Sequence, residues 1–156
     1  MERIYLTREG YEKLRKELEH LKTVRRRELS KAIGVARAHG DISENAEYDA
    51  AKEAQGLNEK KISELEGNLG NAEILDEARI PKDVALIGAT VKLKDLSSGE
   101  EVEYRLVSEP EANYAQGKIS VSSPVGKSLL SHKKDDIVEI KVPVGTLKYK
   151  ILKISR

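Results

Sequence analysis

The chain has 156 residues, enough for one domain or two small ones. Charged residues are 35% and hydrophobic residues 38% of it, a mix too apolar and too periodic for disorder. With no cysteine, disulfides, thiolate zinc sites and thiol nucleophiles are excluded and a reducing compartment is expected, while a net charge of only +1 argues against bulk attraction to polyanions.

The start, Met1-Glu2-Arg3-Ile4-Tyr5, lacks an apolar core of signal-peptide length. No stretch approaches the roughly 20 apolar residues of a membrane span. A soluble cytoplasmic protein is the expectation, with no membrane partner. Thr7 is a plausible N-cap ahead of Arg8-Glu9. Tyr11, Leu14, Leu18 and Leu21 then step by three and four along one helix face. The stripe changes phase across a basic run that holds Lys22, Arg25, Arg26 and Arg27, and resumes at Leu29, Ala32, Ile33 and Ala36. His39-Gly40 reads as a helix stop. A second helix follows, with Ala46, Ala50, Ala54, Leu57, Ile62, Leu65, Leu69 and Ala72 as its apolar side. Gly56, Gly67 and Gly70 weaken the prediction towards its far end, since each costs about 1 kcal/mol against Ala. Two helices of about 30 residues with a short joint must lie antiparallel. At 1.5 Å per residue the hairpin is on the order of 45 Å long. Its outer end has little core and stands in solvent, a geometry that suits a probe.

After Ile80-Pro81 the period changes from helix to strand. Residues 89–96 alternate, Ser97-Ser98-Gly99-Glu100 marks a turn, and Val102, Tyr104 and Leu106 alternate again. A polar loop from Glu109 to Gly117 precedes a short strand at Ile119 and Val121. Ser123-Pro124 opens a short helix, with Pro in the favoured first turn. Two last strands are read at 137–142 and 147–154. About five strands and one helix predict a small α+β domain with a mostly antiparallel sheet. The chain is thus an α+β two-domain protein, with a hairpin over 1–76 and the second domain over 77–156.

Between the helices the charge reverses. Residues 39 to 51 hold no Lys or Arg, but hold Asp41, Glu44, Glu47 and Asp49, and Lys52 restores the positive sign. For Asp41 and Glu44 two readings stand side by side. Their spacing fits a capping box, in which Asp41 accepts from early N–H groups and Glu44 reaches back. From residue types alone that is the commoner use. The second reading is metal positioning: Mg²⁺ takes carboxylate, phosphate and water oxygens, so two acids suffice only if a partner supplies the rest. The readings are compatible, because a cap fixes the turn that aims the acids.

The string His39-Gly40-Asp41-Ile42-Ser43-Glu44-Asn45-Ala46-Glu47-Tyr48 is long and unusual. With Leu6-Thr7-Arg8-Glu9-Gly10-Tyr11, Ala50-Ala51-Lys52-Glu53, Gly88-Ala89-Thr90-Val91 and Ser123-Pro124-Val125-Gly126-Lys127, it resembles the bacterial Gre transcript-cleavage factors over essentially the whole chain. The resemblance implies an antiparallel coiled-coil hairpin, its acidic tip near 40–48, and an FKBP-like C-terminal domain. It implies that the C-terminal domain docks on the rim of the secondary channel of bacterial RNA polymerase. The hairpin then reaches the active centre and stimulates cleavage of the 3′ end of backtracked nascent RNA. On this reading Asp41 and Glu44 are the catalytic tip acids, holding Mg²⁺ jointly with the polymerase. No cofactor would be bound stably and no small molecule would be a substrate. Ser43, Asn45 and Tyr48 match positioning residues. Ser123 and Pro124 match a docking segment, and Arg37 and Lys52 flank the tip as candidates for RNA phosphates. The protein would be a cofactor of an enzyme rather than an enzyme.

Two other functions stand beside this one. A channel-binding regulator without cleavage would share everything but the tip chemistry. A prolyl isomerase, suggested only by the implied FKBP-like fold, would need an aromatic pocket, and the chain has no Phe or Trp. His20, His39 and His132 lack zinc-ligand spacing. No serine sits in a nucleophile elbow, and no Gly-rich phosphate loop is present. The basic run at 22–27 is most often a solvated helix face, with contact to RNA or acidic walls as its functional alternative.

Overall fold

Leu29, Ile33 and Ala36 on one helix, and Ile62 and Leu65 on another, are each buried to below a tenth exposed. Their steps of three and four place them on single helix faces, and apposing those faces removes both from water. In the computed structural model, which describes residues 3–39 and 45–156, this produces a helical hairpin. The first arm runs through α1 (Arg8–His20), a π-helical turn (Leu21–Arg25) and α2 (Arg26–Arg37); the second is α3 (Ala46–Gly70). Residues 9–72 form one unit, and residues 3–8 with 73–156 form the other.

The π-turn explains the phase change in the apolar stripe. It inserts one residue into the helical repeat, so the face before it and the face after it stay aligned. Its Leu21 carbonyl accepts from the Arg26 N–H five residues on. The same carbonyl accepts at 3.3 Å from the side-chain amide of Asn58, a polar residue buried on α3.

The inward face of α3 differs from the expectation. Leu57 is 61% exposed and Ala46 and Ala50 are exposed, while Tyr48, Ala51, Gln55, Asn58, Ile62, Leu65 and Leu69 are buried or half-buried. Those positions alternate steps of three and four without interruption. The expectation anchored on Leu57, and Asn58 hid the true face because it is polar. Ala32, expected in the stripe of the first arm, is exposed as well. α3 also continues past Gly56 and Gly67 to Gly70 and caps at Asn71, because packing of Ile62 and Leu65 outweighs the propensity deficit of the glycines.

The start of the chain belongs with the second unit, whereas the sequence reading assigned it to the hairpin. β1 (Ile4–Leu6) pairs with β2 (Ala72–Ile74), and neither was expected as a strand. Leu6 is fully buried, its carbonyl accepts from the Leu75 N–H at 2.8 Å, and Arg3 pairs with Glu73. Ser108 donates to the Tyr5 carbonyl, and Thr7 donates both its N–H and its hydroxyl to Glu111. Three residues per strand are too few for a period to be read, so the long-range bonds decide the pairing.

The main sheet has the order β5-β4-β3-β7-β6. Its strands are β3 (Thr90–Asp95), β4 (Glu101–Val107), β5 (Lys118–Ser120), β6 (Ile137–Val142) and β7 (Gly145–Ser155). All neighbours are antiparallel except β4 and β5. Val91, Leu93, Leu106, Val138 and Ile151 alternate to one face, where they pack with Leu129 of α4 (Pro124–Leu129). The period-two pattern leaves the other face to charged residues. Arg156, whose side chain is 4% exposed, ties the connection to this sheet by donating to Glu77 at 2.8 Å and to the Ile87 carbonyl at 2.7 Å. Among the described residues no helix is long and apolar enough to cross a membrane.

Tyr104 and Tyr114 share a hydrogen bond at 3.4 Å. That bond, with burial and the nearby Tyr149, pushes the Tyr104 phenol up to about 12. A phenol in an unfolded chain ionises near about 10. The neutral form therefore stabilises the fold fully below about pH 10, and that contribution is lost as pH rises through about 12. An absorbance titration of tyrosinate is expected to show a phenol ionising near pH 12, brought back towards 10 in Tyr114→Phe.

Candidate functional site

Helix α2 ends at Arg37, where the His39 N–H closes a last turn on the Ala36 carbonyl at 3.2 Å. Helix α3 starts at Ala46 with Asn45 as its N-cap, in extended conformation at φ −89° and ψ 98°. The Asn45 side-chain oxygen accepts from the N–H groups of Glu47 at 3.0 Å and Tyr48 at 3.2 Å. The cap of α3 is thus Asn45, and the capping-box reading of Asp41 and Glu44 falls outside the described residues. An Asn side chain offers both an acceptor and a donor, and the donor is used too. The Asn45 amide nitrogen donates across the hairpin to the Ala36 carbonyl.

Two further contacts join the helix ends. The Arg37 guanidinium lies 5.8 Å from the centre of the Tyr48 ring, within range of a cation–π contact. His39 Nε2 is 3.4 Å from a Glu47 carboxylate oxygen. Arg37, Asn45 and Tyr48 are thus brought together at the base of the turn, and His39 and Glu47 join them. Sequence reasoning missed the His39–Glu47 pair, whose only signal was an imidazole and a carboxylate on either side of the turn. Lys52 stands a turn further along α3, exposed, with its ammonium 3.4 Å from the Gln55 side-chain oxygen. Asp41, Ser43 and Glu44 lie outside the described residues. Among the described residues no group of three or more His, Asp or Glu side chains is placed to hold a metal ion.

Two of the four cations of the basic run pair across to α3. Arg26 makes two bonds of 2.8 Å to Glu59, Lys22 lies 3.7 Å from Glu66, and Arg25 pairs with Glu28. The Arg26 bond holds the Glu59 carboxyl below its ordinary range. These are exposed pairs, so each adds little stability, and among the described residues Arg27 makes no ion pair.

In the second unit, Ser123 and Pro124 open α4. The Ser123 hydroxyl accepts from the Gly126 N–H at 3.1 Å and donates to the Ser120 carbonyl at 2.6 Å. Ser123 is therefore a helix cap. Gly126 is buried so close to the Ser120 carbonyl that a methyl group there would overlap it. Pro124 is exposed. The cap fixes the loop, and Pro124 is the side chain it offers outward.

Residues 4–74 match the family model described as transcription elongation factor, N-terminal, and residues 80–156 match transcription elongation factor, GreA/GreB, C-term. The chain is 52% identical over 152 residues to the transcription elongation factor GreA of Christiangramia forsetii, covering 97% of this chain and 96% of that one. It is 53% identical over 154 residues to the GreA of Chloroherpeton thalassium, covering 99% and 98%. Among solved structures, the GreA factor homolog 1 protein of Thermus thermophilus is 33% identical, with 99% of both chains covered and a TM-score of 0.46. The two family matches and the near-complete relatives agree: this chain belongs to the GreA/GreB family of transcription elongation factors.

Proposed function

We propose that this elongation factor stimulates the intrinsic transcript cleavage of bacterial RNA polymerase, acting as a protein cofactor in the cytoplasm. The second unit, read as FKBP-like, docks on the rim of the secondary channel through the loop that presents Pro124. The hairpin, read as a coiled coil, enters the channel and brings Asp41 and Glu44 to the 3′ end of backtracked RNA. The observation that carries this reading is the clasp at the base of the turn. Asn45 both caps α3 and bonds to α2, and the Arg37–Tyr48 and His39–Glu47 contacts brace it. A turn held on both sides is what an acid pair needs if it is to be aimed at a reacting phosphate.

The donor set fits a shared metal. Two carboxylates are hard oxygen ligands suited to Mg²⁺ but fill only part of its octahedral shell, which leaves the remaining positions to polymerase carboxylates, RNA phosphate and water. When bound, Mg²⁺ in such a site lowers the pKa of a water ligand and stabilises the leaving oxygen. The chain's own part is to supply two anionic oxygens from a segment whose flanking helix ends are bonded to each other. Arg37 and Lys52, on either side of the turn, offer positive charge to RNA phosphates.

Two tests follow from this chemistry. On a backtracked elongation complex, Asp41→Ala and Glu44→Ala should each abolish stimulated cleavage while competing for polymerase as well as wild type. A double variant that still cleaves at the normal rate would establish instead a channel-binding regulator whose tip acids are not used. Asn45→Ala removes both the cap and the cross-hairpin bond, and should lower hairpin stability by about 0.5–2 kcal/mol and slow cleavage several-fold. Asn45→Asp keeps the cap acceptor and loses the donor, so it should recover stability more than cleavage. Equal recovery of both, read by thermal unfolding and by the cleavage rate, would remove the Ala36 bond from the account.

A further inference from the structure

The main sheet ends in two edge strands of different character. β5 is three residues long, and its Lys118 exchanges both backbone bonds with Asn113, at 2.8 and 3.0 Å, so little of that edge is open. β6 is six residues long and holds no proline, its register with β7 is unbroken, and among the described residues its backbone bonds to β7 alone. The two-residue turn Pro143-Val144 closes on Val142 and Gly145, and the pair flanking such a turn is hydrogen-bonded. Bonded and unbonded positions then alternate along an antiparallel pair. Val142, Ile140 and Val138 therefore direct their N–H and C=O groups to β7, and those of Ile137, Glu139 and Lys141 point out from the free edge. An unpaired edge of this length is a template for a further strand unless charge, proline, a bulge or a cover blunts it.

Charge does not guard this edge against a second copy of the chain, because its order is self-complementary. Glu139 and Lys141 are exposed neighbours on one face of β6. Antiparallel pairing of two copies about Ile140 sets Glu139 opposite Lys141 of the second copy, and Lys141 opposite its Glu139. Opposite charges directly across neighbouring strands stabilise a sheet. Both pairs fall at outward-pointing positions, so each exchanges both of its backbone bonds. Lys148, 3.6 Å from Glu139 on the other side, continues the alternation of sign across the strands. Pairing about Glu139 or about Lys141 would set like charges opposite each other, and pairing about Val138 would set Ile137 against Glu139. A slip by one residue would exchange the faces. The apolar residues around the strand add a second observation. Ile137 is 57% and Val144 94% exposed. Pairing about Ile140 brings Ile137 of one copy to Pro143 of the other, next to Val144, at both ends of the joint.

We propose that the chain self-associates through this edge: β6 pairs antiparallel with β6 of a second copy about Ile140, joining two sheets into one. The occupant is a second copy because the order acid, apolar, base along β6 complements itself in one register. A strand of another protein would meet the same open N–H and C=O groups, but nothing in that order of charges selects it. The joint is isologous, so every contact occurs twice. This goes beyond the proposed cleavage role: it uses neither Asp41, Glu44 nor Pro124, and either could fail without the other.

The test is sedimentation equilibrium of the full chain from micromolar to millimolar concentration. Wild type should pass from monomer to dimer over that range. Lys141→Glu sets two acids opposite each other and Glu139→Lys sets two bases, so each variant alone should dimerise on the order of tenfold more weakly or worse. Mixed in equal amounts, the two variants should form a heterodimer at least as readily as wild type forms its dimer, since every facing pair is then of opposite sign. Recovery on mixing also shows that both variants are folded. Lys141→Pro removes an outward N–H without touching the ladder to β7, and should abolish association while leaving the circular dichroism spectrum unchanged. Three results would overturn the proposal. The first is wild type that stays monomeric to millimolar concentration, including the case in which Lys141→Pro instead competes less well for polymerase, which would assign the edge to a strand of that partner. The second is a dimer that both charge variants leave intact. The third is no recovery when the two variants are mixed.

Discussion

The hairpin has one seam, and the seam is set by a buried hydrogen bond. Two helices have no third layer to hold them, so a slip of one turn along a uniformly apolar stripe would remove little contact. Asn58, buried on α3, donates to the Leu21 carbonyl in the π-turn of the first arm. A polar residue in an otherwise apolar seam favours the one register in which its bond is made. Leu29, Ile33 and Ala36 then meet Ile62 and Leu65 to provide the burial. The π-turn belongs to the same device, because the residue it inserts keeps the seam continuous from one side of the basic run to the other.

The same register governs the far end of the hairpin. With the arms fixed against each other, the Ala36 carbonyl falls where the Asn45 amide can reach it, and Arg37 falls over Tyr48. The turn between them is therefore framed by two helices whose ends are bonded to one another. Stability and the proposed cleavage role draw on the same contacts at this point, which is why the Asn45 side chain serves both as a cap and as a clasp. The ion pairs of Arg26 and Lys22 with α3 fit the same picture: they link the two arms along the shaft.

Much of this was legible in the residues, and the exceptions share a cause. Strong periods were readable: the two arms, the strands around Val91, Leu106 and Val138, and the short helix opened by Ser123-Pro124. What failed was any inference that polar residues lie outside. Asn58 and Gln55 face the seam while Leu57 faces solvent, so an apolar stripe drawn through Leu57 was rotated from the true one. The strands at Ile4–Leu6 and Ala72–Ile74 were not readable because their bonds join residues far apart in sequence. Asn45 as the cap of α3 was hidden in the sequence by the capping-box pattern of Asp41 and Glu44, which lie outside the described residues. Motif resemblance, not spacing, is what sets the acids apart from an ordinary cap; the family matches span both units and show the family.

If Asp41 and Glu44 form half of a shared Mg²⁺ site, weakening one ligand must weaken the metal and not merely the turn. The most direct measurement is the Mg²⁺ dependence of stimulated cleavage in a backtracked complex, for wild type and for Asp41→Asn. The account predicts that the variant needs roughly tenfold more Mg²⁺ or above for half-maximal rate, with much of the rate recovered at high Mg²⁺. An unchanged Mg²⁺ requirement with a uniformly lower rate would contradict it, because the acid would then act on position alone.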